Sequence, residues 1–139
     1  MGLDLYKSFA TDKTKEAEGA RFELGDGAFV VLARWGNPKH LKAEEKARAP
    51  YRSLTLSGRP LPTDIAESTT IKAMAEAVVI DWGGLKDRDG ALIPYSVEAA
   101  ITLLTDLPDF RSVLVGMAMS AEGFRAEQIE ADAGNSSAA

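Results

Sequence analysis

A chain of 139 residues, 45% hydrophobic and 27% charged, has the size and balance of one globular domain that buries a core without staples. A formal net charge of −5, a single histidine and no cysteine exclude disulfides, thiolate zinc sites, cysteine nucleophiles and His-based zinc cages, and fit a reducing cytoplasm. No apolar run approaches the roughly 18 residues of a membrane span, and Met1-Gly2-Leu3-Asp4-Leu5-Tyr6-Lys7 carries neither a secretory signal nor a lipidation pattern.

Residues 1–19 are polar and charged, with Phe9 as the main anchor, and read as a flexible N-terminal arm. Residues 20–131 then read as one globular domain, and 132–139 as a disordered tail built on Gly134-Asn135-Ser136-Ser137. Arg21-Phe22-Glu23-Leu24 and Ala28 to Trp35 are rich in aromatic and β-branched residues, and Gly25-Asp26-Gly27 between them supplies the positive φ of a hairpin loop. Phe22 and Leu24 share one face, as do Phe29, Val31, Ala33 and Trp35. A lone hairpin is marginal in water, so its apolar face must lie on helices or on another chain's strands.

Asn37-Pro38 is a helix start, with a side-chain acceptor at the cap and a proline at the first turn. The helix that follows is polar on most sides, which places His40 at the surface, and Pro50 ends it or begins a short piece through Tyr51, Leu54 and Leu56. Gly58-Arg59-Pro60-Leu61-Pro62 is a loop. Thr63 or Asp64 caps the next helix, whose stripe Ile71, Met74, Ala75, Val78, Val79 and Trp82 keeps helical spacing. Gly83-Gly84 stops it, an Asp-Gly turn at Asp89-Gly90 follows, and Pro94-Tyr95 leads to Ser96, which caps a short helix. A final helix starts near Pro108 or Asp109 and runs to about residue 131 through Phe110, Val113, Leu114, Met117, Ala121 and Phe124. The fold class is α+β, mainly α-helical, with an N-terminal β-hairpin followed by four to five helices.

Charge is uneven along the chain. Arg34 to Arg59 holds seven basic residues against Glu44 and Glu45, a net of +5, so the remainder carries −10. A solvated helix face accounts for this; so does a basic face meeting the acidic face of another subunit, which orders assembly. Phosphate binding through Lys39, Lys42 and Lys46 ranks below both, because an acidic chain is a poor non-specific nucleic-acid binder.

The constellations that suggest chemistry are incomplete. Asp87-Arg88-Asp89-Gly90 resembles the middle of a calcium loop, but with Gly90 in the sixth place the first and twelfth fall on Leu85 and Ser96, neither a carboxylate. Neither glycine cluster is followed by the Lys-Ser/Thr of a phosphate loop. The residues propose no catalytic group, metal or cofactor, and the chain reads as a non-enzyme. The strongly specified run is Trp82, Gly84, Leu85, Asp89, Gly90, Pro94, Tyr95 and Ser96. Each residue there has a backbone or packing reason.

That run, with Val78-Val79-Ile80-Asp81 before it and Leu103-Leu104 and Leu107-Pro108-Asp109-Phe110 after it, resembles the tail assembly chaperones of long-tailed phages and prophages. The likeness spans roughly residues 9–125 and is specific chiefly from Trp82 to Ser96. It implies a homo-oligomer in the bacterial host cytoplasm that coats and solubilises the helical tape measure protein and helps recruit tail tube protein. Many such chaperones also have a longer, frameshifted form, and the resemblance implies that this chain is the short one. Under that resemblance the partner-binding candidates are Leu114, Met117, Ala121 and Phe124 on the last helix and Lys39, Lys42 and Lys46 on the basic one. Two other readings remain: a head–tail or tail completion protein kept in the virion, and a small DNA-binding regulator using residues 34–59.

Overall fold

A computed structural model describes residues 1–126. Two short helices, α1 (Leu5–Phe9) and α2 (Lys13–Glu18), come first. Asp4 caps α1 by accepting from the Lys7 N–H, and Asp12 caps α2 by accepting from Thr14 and Lys15. None of residues 1–19 is buried, yet backbone bonds tie the segment down. Asp12 donates to the Phe124 carbonyl at 2.8 Å, Ala126 donates to Ala10 at 3.1 Å, and Arg34 donates to Glu16 at 2.9 Å.

The hairpin forms from β1 (Ala20–Gly25) and β2 (Ala28–Leu32). Its turn places Gly25, Asp26 and Gly27 all at positive φ. A third strand, β3 (Val79–Gly83), pairs antiparallel with β2 and makes a sheet of order β1-β2-β3. The expected helical stripe therefore ends early: α5 (Thr63–Ala77) stops before Val79, and Trp82 sits on a strand. The reason is the β-branched run Val78-Val79-Ile80, which pairs with β2 and supplies the partner a lone hairpin lacks. The inward row of the register is Phe22–Val30–Trp82, and Val30 and Leu32 are fully buried. Phe29 and Val31, expected on the apolar face, lie on the other side and are half-buried. The Phe29 ring covers Gly83, where a Cβ would stand 2.4 Å from Phe29 Cε1, and the Arg21 guanidinium caps the ring at 3.7 Å.

Among the described residues five α-helices follow the hairpin: α3 (Pro38–Arg48), α4 (Arg52–Leu56) after a 3-10 turn at Ala49–Tyr51, α5, α6 (Val97–Asp106) and α7 (Pro108–Met119). Asn37 caps α3 through its side chain. Neither Thr63 nor Asp64 caps α5; Pro62 precedes it and Asp64 lies in its first turn, where a carboxylate suits the helix dipole. Val30, Leu32, Met74, Val78, Trp82, Leu104, Leu114 and Ala118 meet in the main core, while Ala43, Ala73 and Ala77 form a small seam where α3 approaches α5. The last helix is shorter than expected. It ends at Met119, and a 3-10 turn at Glu122–Phe124 carries Phe124 back into the core. The end of the expected helix near residue 131 and the tail at 132–139 lie outside the described residues.

Candidate functional site

The segment from β3 to α6 is a closed corner. Trp82 is 6% exposed, its indole Nε1–H donates to the Ile93 carbonyl at 2.8 Å, and its ring meets Tyr95 edge-on with centroids 5.0 Å apart. The Tyr95 hydroxyl donates to the Val79 carbonyl at 2.8 Å; burial, followed by the nearby Asp81 charge, pushes that phenol above its ordinary range. Between them Ile93 N–H bonds Leu85 and Asp87 N–H bonds Ala91. The Asp87 carboxylate accepts from Asp89 and Ala91, building the turn that ends at Gly90. Gly84, at φ +73°, passes so close to the hairpin loop that a Cβ would stand 2.9 Å from Ala28 Cα. Pro94 is exposed and Leu85 half-buried. Ser96 Oγ accepts from Ala99 N–H and caps α6. The Asp87 carboxylate is thus taken up by this turn, and among the described residues no group of three His, Cys, Asp or Glu side chains could hold a metal ion.

A second corner joins β2 to α3 through Arg34-Trp35-Gly36-Asn37. The Asn37 side-chain amide donates to the carbonyls of Arg34 at 2.7 Å and Ala77 at 3.2 Å, while its oxygen caps α3 at the His40 N–H. His40 is 1% exposed, which overturns its expected place at the surface. The helix is polar on most sides, but its buried row His40, Ala43 and Ala47 faces inward. Imidazole Nδ1 accepts from the Gly36 N–H at 2.9 Å, the ring meets Trp35 edge-on at 4.4 Å between centroids, and Nε2 is buried without a partner. Burial lowers the His40 pKa, and the Glu44 carboxylate 3.5 Å from Nε2 offsets part of that.

Trp35, Gly36, Asn37 and Pro38 form one wall of a cleft of about 470 Å³, and Lys13, Glu16 and Ala17 of α2 form the other. Arg34 bonds Glu16 across it at 3.0 Å. Burial raises the Glu16 pKa, but hydrogen bonds from Thr11 and Arg34 and the charges of Arg34 and Lys13 together hold it below the usual carboxylate range. Sequence reasoning missed this cleft because α2 and the turn between β2 and α3 are brought together only by the fold.

The residues expected to meet a partner separate into two groups. Lys39, Lys42 and Lys46 are exposed along α3, and none takes part in an ion pair among the described residues. Leu114 on α7 and Phe124 on the 3-10 turn after it are fully buried in this chain's own core. Phe124 packs beside Phe22, ring centroids 5.9 Å apart. Met117 and Ala121 are half-buried. The open face of α7 carries different side chains: Val113 is 50% and Met119 58% exposed, with Leu107 just before the helix at 49%. Between Val113 and Met119 lies Gly116, where a Cβ would meet nothing within 4 Å.

Among the described residues no helix is long and apolar enough to cross a membrane. No curated protein and no solved structure matches the chain. A family model described as YdaY prophage protein matches residues 35–135, from the Trp35 corner through the Trp82 corner and α7. The Trp35 to Asn37 turn, the segment from β3 to α6 and the open helix face thus lie inside the matched region, and the chain belongs to the YdaY prophage protein family.

Proposed function

We propose that the chain is a non-enzymatic assembly chaperone of a prophage tail, which self-associates, keeps the helical tape measure protein soluble and helps bring in tail tube subunits in the host cytoplasm. Membership of a prophage family supports the setting, and the likeness of Trp82 to Ser96 to tail assembly chaperones supports the role. The observation that carries the reading is the outward face of α7. Val113 and Met119 are about half exposed, and Gly116 between them leaves open space. A partner helix laid across Gly116 would bury both side chains at close range, the way a helix fits an apolar groove. Burying the exposed half of two such side chains contributes roughly 1.5–3 kcal/mol before ordering costs.

The test is co-expression with the long helical protein encoded beside this chain, followed by its partition between supernatant and pellet. Soluble partner that co-purifies with many copies of the chain is the expected result, and V113D with M119E should return the partner to the pellet. A partner that pellets regardless, with this chain eluting alone, removes the proposal. A DNA-binding reading draws on one observation, the exposed Lys39, Lys42 and Lys46, which make no ion pair among the described residues. It requires duplex binding that weakens steeply with salt and is lost when all three are reversed to glutamate. A virion completion protein would instead be found in purified particles.

A further inference from the structure

In the corner between β2 and α3 the Asn37 amide bonds the Arg34 and Ala77 carbonyls and the Trp35 N–H bonds Ala118 at 2.9 Å, while Gly36 is held by one buried ring in one protonation state. Nδ1 accepts the Gly36 N–H at 2.9 Å, so that nitrogen bears no proton and the neutral ring carries its hydrogen on Nε2. Nε2 in turn is buried with no hydrogen-bond partner among the described residues, although the Glu44 carboxylate stands 3.5 Å away on the next turn of α3. A proton added to this ring must go to Nδ1, where it would face another N–H. Donor would meet donor, in a site already closed to water.

We propose that His40 is an acid-released latch: neutral, it holds Gly36 and with it the Trp35 wall of the cleft between α2 and α3; protonated, it lets that wall go and turns to Glu44. Asn37 keeps α3 capped in both states, since its bonds go to the His40 backbone and to the Arg34 and Ala77 carbonyls, and the Arg34 and Trp35 N–H groups stay bonded to Glu16 and Ala118, so the change is local to Gly36 and the Trp35 side chain beside it. Glu44 is the charged group that answers the new charge. Of the other ionised side chains on the elements about the ring, Arg34 and Glu16 are paired across the cleft and Lys13 reaches toward Glu16. Arg111 is paired with Glu67, and Lys39, Lys72 and Glu76 are exposed. The geometry therefore has two settled arrangements, one with Gly36 bonded and Glu44 idle, the other with Gly36 free and Glu44 engaged.

Because His40 is the only histidine, the full chain labelled with nitrogen-15 reports on it without assignment ambiguity. The ring nitrogens should show the Nε2–H tautomer at neutral pH, with a midpoint below that of an unperturbed histidine. The Gly36 amide should be shifted downfield and slow to exchange, and should lose both properties along the same titration curve, while the Trp82 indole N–H stays protected throughout. E44Q, which alters a side chain only partly buried, removes the one charge that favours the imidazolium and should carry both curves to lower pH together. An Nδ1–H tautomer, a Gly36 amide indifferent to the ring's titration, an E44Q midpoint that stays or rises, or loss of all amides together before the ring titrates would each overturn the proposal.

Discussion

Two tryptophans each close the exit of a strand, and the corners they make are built on opposite terms. At the end of β3, Trp82 is buried, its N–H is bonded to Ile93, and the Tyr95 ring against it is bonded through its hydroxyl to Val79. At the end of β2, Trp35 is half-buried beside a cleft, and the His40 ring against it has one nitrogen bonded and the other without a partner among the described residues. A satisfied buried network specifies one arrangement, whereas a partly satisfied one leaves a second within reach. The family match spans both. In the chaperone reading, the first corner is scaffold for α6 and α7, and the second is where the chain has freedom to respond.

The largest effect expected on that comparison comes from truncating the two rings. Trp82→Ala should destabilise the fold by about 4 kcal/mol, because it empties a core position and strands the Ile93 carbonyl. Trp35→Ala should cost about half as much, roughly 2 kcal/mol, since water already reaches its ring. Urea titrations of both variants decide it. Equal losses would mean that the two corners are equally committed to the core.

Next in size is a pair of glycines within the Trp82 corner. Gly84 and Gly90 share a positive φ, at +73° and +82°, but a Cβ at Gly84 runs into the hairpin backbone while one at Gly90 meets nothing within 4 Å. Gly84→Ala should therefore cost on the order of 3 kcal/mol and Gly90→Ala only about 1 kcal/mol, the backbone strain alone. Thermal midpoints of the two variants, measured side by side, separate close approach from strain. Ser96→Ala belongs at this lower level too. It removes the acceptor for Ala99 N–H at the start of α6 and should cost about 1 kcal/mol in the same measurement.

What was legible in the sequence follows the range of the interactions involved. The hairpin turn at Gly25-Asp26-Gly27 and the caps at Asn37 and Ser96 are set by neighbours within a few residues, and they are where local chemistry places them. The third strand was not legible because Ile71, Met74, Ala75, Val78 and Trp82 keep a helical period straight through it. Periodicity cannot separate a short apolar strand from the end of a helix, and the decision belongs to β2, some fifty residues earlier. The face of β2 was undecidable for a related reason: Val30 and Leu32 are as apolar as Phe29 and Val31, so alternation carried no sign. His40 looked exposed on a polar helix, and only the alanine seam with α5 shows how close that helix lies. Gly123 was the one neglected signal for the break after α7. Its missing Cβ makes room for the Phe22 ring, 2.6 Å from where that carbon would stand, which a continuing surface helix would not require.

The smallest effect, and the one that most sharpens the contrast, is the response to pH, because the two corners should fail at opposite ends of the scale. His40 has its pKa lowered in the fold by burial, against the partial offset of Glu44. Below its ordinary value, about 6.5, the unfolded chain takes up a proton that the folded chain refuses. The stability tied to the neutral ring is then complete above that pH and drains as pH falls toward the folded value. Glu16 adds a second loss at lower pH. Its carboxyl is held below the usual range, so its contribution is present above the ordinary carboxylate value and disappears as acid protonates it. Tyr95 runs the other way. Its phenol is raised by burial and by Asp81, so the stability of the protonated hydroxyl is complete below about pH 10 and lost only as pH rises beyond it. Thermal midpoints followed from pH 8 downward should begin to fall near 6.5 in the parent chain. In Tyr95→Phe the acid limb should be unchanged while the alkaline limb flattens. An acid limb that begins only where carboxylates titrate would mean that the Trp35 corner stays as closed as the Trp82 corner when its histidine is charged.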